Sequence, residues 1–287
     1  MLGHPIGHSL SPAMQNAALA EMGVDGVYVA FDVHPDALGA AVAGLRALGV
    51  VGVNCTIPHK EALLSLVDAL SDDAACIGAV NTLELREGRC TGHNTDAPGF
   101  LAALRAEGFD PSGCKAVVLG AGGASRAVIV ALARCGAEVQ IVNRTHDRAQ
   151  ALAEQLNGRL GSTSIEAVCR EPAALGSALR NADLLVNTTS VGMAPEVDRM
   201  PAIPVEALHS KLFVYDLIYN PLETRLLRTA RECGARGQHG AGMLAHQGAL
   251  ALQLWTGIAA PVAHMEQVIL KTLSAREQEL RASLDNG

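Results

Sequence analysis

Aromatic side chains are scarce in this 287-residue chain, at 3%, with a single Trp. A core cannot rest on large rings, so the 49% hydrophobic content must supply it as Ala, Val and Leu. Basic charge is short as well: 22 Lys and Arg against 29 Asp and Glu leave a net charge of −7, which excludes the basic face that a nucleic-acid partner needs. Seven cysteines are scattered with no Cys-x-x-Cys pair, and they read as reduced packing residues. His4 and His8 are four apart, but Pro5 and Gly7 between them deny the helix a metal pair requires, so no metal is expected. No apolar run is long and clean enough to span a membrane. Residues 237–265 lack Asp, Glu, Lys and Arg, but Gln247, Gln253, several Gly and Pro261 interrupt them, and a half-buried helix is the better reading. Met1-Leu2-Gly3-His4-Pro5 has neither the basic region nor the apolar core of an export signal, so a cytoplasmic location is expected.

The length accommodates two domains with ample cores. Ala116-Val117-Val118-Leu119 reads as a strand buried on both faces, and residues 127–135 read as a helix. Between them lies Gly120-Ala121-Gly122-Gly123-Ala124-Ser125. Gly120 permits a tight turn, Gly122 lets backbone approach a pyrophosphate, and the helix N-terminus offers free N–H groups to the anion. The third fingerprint position is Ser125, small enough for close strand–helix packing. Such a turn alone also fits an ordinary α/β loop. A second strand at 138–142 ends in Asn143-Arg144-Thr145, where the ribose contact should fall. An acidic residue there would accept from the 2′-hydroxyl of NAD; Arg144, with Arg148 one helical turn on, suits the 2′-phosphate of NADP instead.

Polar residues gather at other predicted strand ends. Ser9 and Ser11 precede a helix over 13–22, started by Pro12, and either cap it or offer two hydroxyls to a ligand. Residues 28–33 read as a strand, 35–48 as a helix, and the strand beginning at Val50 ends in Asn54, Thr56 and Lys60 before a helix over 61–70. Lys60 is either a surface lysine or a ligand group at the mouth of a strand–helix turn. Gly78-Ala79-Val80-Asn81-Thr82 and Gly92-His93-Asn94-Thr95-Asp96 flank a hairpin, and Asp96 also fits a cap for a helix over 99–107. Further strands are expected over 182–187, with Asn187, Thr188 and Thr189 toward a cofactor, and over 212–217. A helix over 243–256 carries Gln247 one turn in from its start.

Taken together, these pieces resemble the shikimate dehydrogenase family. They are His8-Ser9-Leu10-Ser11-Pro12, Asn54 to Lys60, Gly78 to Thr82, Asn94-Thr95-Asp96, Gly120 to Ser125, and Asn143-Arg144-Thr145. Asn187 to Met193, Asp216 to Pro221, Gly242-Met243-Leu244 with Gln247, and Trp255-Thr256-Gly257 continue the series in order. The resemblance implies an α/β protein: a doubly wound Rossmann NADP domain over 98–239, and a smaller α/β substrate domain from both chain ends, 1–97 and 240–287, with a cleft between. It implies Lys60 and Asp96 as the catalytic pair. Ser9, Ser11, Thr56, Asn81, Tyr219 and Gln247 would hold the substrate, and Leu217 and Gly240 would border the nicotinamide.

The activity so implied is reversible, NADPH-dependent reduction of 3-dehydroshikimate to shikimate, with small-molecule partners, no membrane, and a monomer or homodimer. Quinate or quinate/shikimate dehydrogenases using NAD or NADP, an aminoshikimate enzyme, and a catalytically silent NADP-binding regulator are the alternatives. Two departures stand out. The family has a full strand before the Gly-x-Pro-Ile segment, whereas only Met1 and Leu2 precede Gly3, as if the start were assigned late or a sheet edge missing. Cys55 replaces an apolar residue and should pack as a small hydrophobe.

Overall fold

The computed structural model describes residues 1–285. The chain divides into two compact units, one of Met1–Thr95 with Leu244–Gly287, the other Asp96–Met243.

The second unit is built on strands whose central members, such as Leu184–Asn187, are mostly aliphatic and buried throughout, while the edge strands Arg236–His239 and Ile165–Ala167 carry exposed polar residues. Six strands form a parallel sheet in the order Arg236–His239, Phe213–Asp216, Leu184–Asn187, Lys115–Leu119, Glu138–Val142, Ile165–Ala167. Numbered along the chain this is 3-2-1-4-5-6 read from the other end, the doubly wound Rossmann order. Val118, Leu184, Leu185 and Val186 are fully buried, each contributing about 1.5–3 kcal/mol. Helix Gly123–Arg134 buries the aliphatic run Ala127 to Leu132. The few aromatics are placed inside: Phe100 meets Tyr215 edge-on, with ring centroids 5.3 Å apart.

In the first unit, Gly52–Asn54, Thr82–Arg86 and Arg89–His93 pair antiparallel, and Ala69–Leu70 adds a parallel edge. Leu2–Gly3 runs parallel to Phe31–Asp32, and Leu2 bridges Cys55. The short first strand thus lies between Phe31–Asp32 and Cys55, with Leu2 buried. Of the expected strand over 28–33, Phe31–Asp32 is the part paired in register with it, and the Val33 N–H donates to Gly3 O at 3.0 Å. Cys55 is buried in this core, as expected of a small hydrophobe.

Other expectations need correction. The helix over 61–70 is a single 3-10 turn, Ala62–Ser65, followed by the strand Ala69–Leu70. Asp68 N–H donates to Cys90 O and Ser71 N–H to Gly92 O, so sheet pairing takes the backbone a helix would have used. Residues 237–265 are not one helix: strand Arg236–His239 runs into helix Ala241–Thr256, Gly257 breaks it, and a new helix starts at Val262 beyond Pro261. That last helix packs on Ser11–Glu21. Helix Ala241–Thr256 is tied to the sheet by Trp255, whose indole N–H donates to Leu83 O at 3.0 Å and whose ring occupies the space a side chain at Gly52 would need. Gly52→Ala should accordingly cost about 1–3 kcal/mol of unfolding free energy through overpacking. Denaturant titration checks this, and an unchanged midpoint would refute it.

Candidate active site

In the second unit the sheet changes direction between Lys115–Leu119 and Leu184–Asn187, and open α/β sheets bind ligands at that point. Gly120 leaves the first of these strands at φ +116°, a conformation side chains rarely adopt, with Thr188 Oγ1 and Ser125 Oγ close by. Ser125 Oγ accepts the Gly122 N–H at 3.1 Å and lies 2.6 Å from Thr188 Oγ1, while Thr188 donates to Leu119 O at 2.6 Å. Ser125 thus staples the turn to the neighbouring strand end, more than merely allowing close packing. Above Gly122 there is open space: no heavy atom lies within 4 Å of where a Cβ would stand. Ala121, Gly123 and Ala124 complete the turn, and the helix amides of Gly123–Arg134 begin there. These groups fit a pyrophosphate.

Beyond the next strand, Asn143 Nδ2 donates to Thr145 O at 2.9 Å, closing a loop in which Arg144 and Thr145 are exposed. Helix His146–Leu160 follows and carries exposed Arg148 in its first turn. Gly240 lies against the Leu217 carbonyl, and its N–H donates to Ile218 O at 2.9 Å. Tyr219 is half-buried. Asp96 is the first residue of helix Asp96–Ala106 and is buried.

The remaining expected residues belong to the first unit. Ser9 and Ser11 do not cap the helix: the N-cap is Leu10, with no side-chain bond. Ser9 Oγ instead accepts the Ser11 N–H and donates to Met1 Sδ, and Ser11 is buried. Thr56 and Lys60 are half-buried on the loop after Gly52–Asn54, where the Lys60 carbonyl accepts the Val80 N–H at 2.8 Å. His59 turns inward to Val33 O at 2.9 Å, and burial lowers its pKa, keeping the ring neutral. Asn81 Oδ1 accepts the Thr95 N–H at 2.7 Å, and its Nδ2 donates to Gln247 Oε1 at 3.3 Å and Thr95 Oγ1 at 2.9 Å. Gln247 Nε2 donates to Leu244 O at 2.9 Å. Two residues expected to share a role thus meet, although one comes from each end of the chain.

Sequence reasoning left Asp216 unassigned beyond its motif. Its buried carboxylate accepts from Asn187 Nδ2 at 2.9 Å, the Ile218 N–H at 3.2 Å and Thr224 Oγ1 at 2.7 Å. Thr224 also accepts the Leu227 N–H, capping helix Arg225–Glu232. A polar residue at the C-terminal end of each of two adjacent strands, Asn187 and Asp216, was the available signal. Burial raises the Asp216 pKa to about 6, against the opposing pull of its donors. The folded form therefore disfavours ionisation. Its stabilising contribution is complete below the unfolded carboxylate pKa near 4 and is lost as pH rises through about 6, by about 3 kcal/mol. Thermal melts between pH 4 and 7 should show this decline in the wild type and lose that component in Asp216→Asn. Parallel profiles would contradict it.

Comparison with known proteins matches residues 1–83 to the shikimate dehydrogenase substrate binding domain, 101–216 to shikimate / quinate 5-dehydrogenase, and 240–270 to the shikimate 5'-dehydrogenase C-terminal domain. The shikimate dehydrogenase (NADP(+)) of Methanopyrus kandleri is 52% identical, covering 95% of this chain and 94% of its own. Shikimate 5-dehydrogenase from Thermus thermophilus, solved with NADP(H) and shikimate, is 46% identical with a TM-score of 0.85, over 94% of this chain and 97% of that one. Quinate dehydrogenase from Corynebacterium glutamicum, solved with NAD, is 32% identical with a TM-score of 0.86, over 94% and 97%. With identity of this order sustained along nearly its full length, the chain belongs to the shikimate dehydrogenase family.

Proposed function

We propose that this protein is an NADP-dependent shikimate dehydrogenase that reversibly reduces 3-dehydroshikimate to shikimate. The observation that carries the reading is the 52% identity to a shikimate dehydrogenase (NADP(+)), joined to a nucleotide turn followed by Arg144 in place of an acidic residue. Met1–Thr95 with the C-terminal segment is the substrate-binding unit, and Asp96–Met243 is the nucleotide-binding unit.

Gly120 to Ser125 hold the pyrophosphate, with Thr188 behind them. Arg144 and Arg148 take the 2′-phosphate, which fits paired guanidinium groups, and Asn143 and Thr145 shape that loop. Leu217 and Gly240 border the nicotinamide. Bound NADPH supplies the hydride. Reduction of a ketone also needs a proton on the carbonyl oxygen, and only a donor that strengthens as the alkoxide develops lowers the barrier. Lys60 Nζ is that donor. The Asp96 carboxylate orients it and holds a neighbouring hydroxyl. Ser9, Ser11, Thr56, Asn81, Tyr219 and Gln247 hold the carboxylate and ring hydroxyls of the substrate. The site of action is the cytoplasm, a setting consistent with seven free cysteines. Among the described residues no helix is long and apolar enough to cross a membrane.

Lys60→Ala should lower kcat by a factor on the order of 10² or more while KM changes far less. Steady-state absorbance of NADPH with shikimate measures both, and a retained kcat with a raised KM would make Lys60 a binding residue only. Arg144→Asp should raise KM for NADPH about 10- to 100-fold, the worth of hydrogen bonds to a charged group, and abolish preference over NADH. Equal wild-type rates with the two nucleotides, or faster turnover of quinate than shikimate, would favour the quinate dehydrogenase reading. Tight NADPH binding without turnover would favour a regulator.

A further inference from the structure

The substrate-binding unit contains a line of buried polar side chains that runs from Tyr28, Asn54 and Thr82, which the proposed chemistry does not use, to Asn81 and Gln247, which it does. Tyr28 OH donates to Asn54 Oδ1 at 2.7 Å, and Asn54 Nδ2 donates to Thr82 Oγ1 at 3.0 Å. Thr82 Oγ1 in turn donates to Asn81 Oδ1 at 3.0 Å, and Asn81 Nδ2 reaches Gln247 Oε1. Thr82 is wholly inaccessible, and Asn54 and Tyr28 are buried behind it.

Backbone groups fix the direction of this line at several points. The Thr95 N–H can only donate, so Asn81 must turn Oδ1 toward it and Nδ2 toward Gln247. The Leu244 carbonyl can only accept, so Gln247 must turn Nε2 toward it and Oε1 toward Asn81. At the far end Asn54 Nδ2 lies 3.5 Å from the Asn81 carbonyl, which leaves Asn54 Oδ1 for Tyr28 and makes the phenol the donor. Every link has one consistent polarity.

A strand position with no solvent access would be filled at lower cost by Val, because a buried hydroxyl must recover its lost hydration through hydrogen bonds. Thr82 recovers it through the amides of Asn54 and Asn81 and the Thr95 hydroxyl at 3.2 Å, and Asn81 is a side chain assigned to the substrate. Without that hydroxyl, Asn81 Oδ1 keeps the Thr95 N–H at 2.7 Å and the longer Thr95 Oγ1 contact at 3.3 Å but loses the Thr82 donor at 3.0 Å. Thr95 still brackets the amide, accepting from Nδ2 at 2.9 Å, but the Thr82 contacts that fix where Asn81 and the Thr95 hydroxyl sit relative to the strand are gone, and with them the aim of Nδ2 at Gln247. We infer that Thr82, backed by Asn54 and Tyr28, is a positioning residue that sets the amide planes of Asn81 and Gln247 for substrate binding. This rests on the reading that those two amides contact shikimate.

The test is steady-state kinetics of full-length Thr82→Val, Thr82→Ser and Tyr28→Phe, with shikimate and NADP varied separately and thermal melts alongside. Thr82→Val should raise KM for shikimate roughly tenfold, the worth of one buried hydrogen bond, with KM for NADP within about twofold. Thr82→Ser, which keeps the hydroxyl, should restore KM for shikimate, and Tyr28→Phe should shift it in the same direction by less. If Thr82→Val fails to fold, Tyr28→Phe against wild type carries the test. A variant with a lower melting temperature but wild-type KM for shikimate, or one whose KM values for both ligands rise together, would overturn the inference and leave the proposed function standing. A wild-type protein that does not turn over shikimate would remove both.

Discussion

An amide sealed from water has one low-energy orientation when different groups claim its two ends, and in the first unit Asn81 is such an amide. Its carbonyl end takes the Thr95 N–H, and its nitrogen end meets Gln247. The strand Thr82–Arg86, the loop through Thr95 and the helix Ala241–Thr256 all converge on it. Much of the rest of that unit can be read as holding this convergence in place. Trp255 lies on Gly52 and donates to Leu83 O, and Gln15 donates to Gly248 O, joining helix Ser11–Glu21 to helix Ala241–Thr256. Hydrophobic burial supplies most of the stabilisation but has no direction. The orientation comes from the few hydrogen bonds that burial makes costly to lose.

The second unit solves a similar problem with charge. Strand ends at a ligand crevice must be polar, yet they lie just beneath a sheet whose core is aliphatic. Asp216 meets that demand by collecting donors from Asn187, Ile218 and Thr224, three points on two strands' ends and the following helix. Scarcity of aromatics is part of the same design. Helix Gly123–Arg134 packs an aliphatic face with Ala127 and Ala131 among its buried residues, and Ser125 at its start reaches Thr188.

Long, strongly patterned segments were legible in the sequence. Glu138–Val142 has the bounds its Val and Ile spacing predicts, and the Thr82–Arg86/Arg89–His93 hairpin turns where Glu87-Gly88 predicts. What escaped was decided by partners far along the chain. Residues 68–71 have helical composition but are drawn into pairing with Cys90 and Gly92, a tertiary preference that overrides local propensity. Ile165–Ala167 is too short to show alternation. Among polar residues, motif position marked Asn81 and Gln247, and strand-end position could have marked Asp216, but nothing local marks Tyr28 as a donor to Asn54. That fact needs three dimensions, since the partners are separated by a stretch with no fixed length.

Chain connectivity adds one consequence. The second unit is a single continuous stretch, Asp96–Met243, whereas the first is completed only by the segment from Leu244 onward, including the helix packed on Ser11–Glu21. On the ribosome, where segments fold as they emerge, the nucleotide-type domain can close on itself while translation is still under way. The leading residues must wait, with Met14 and Gln15 lacking their neighbours at Gly248, until the last helices leave the exit tunnel. Synthesis order and assembly order are therefore inverted, and the earliest residues made are among the last to be finished.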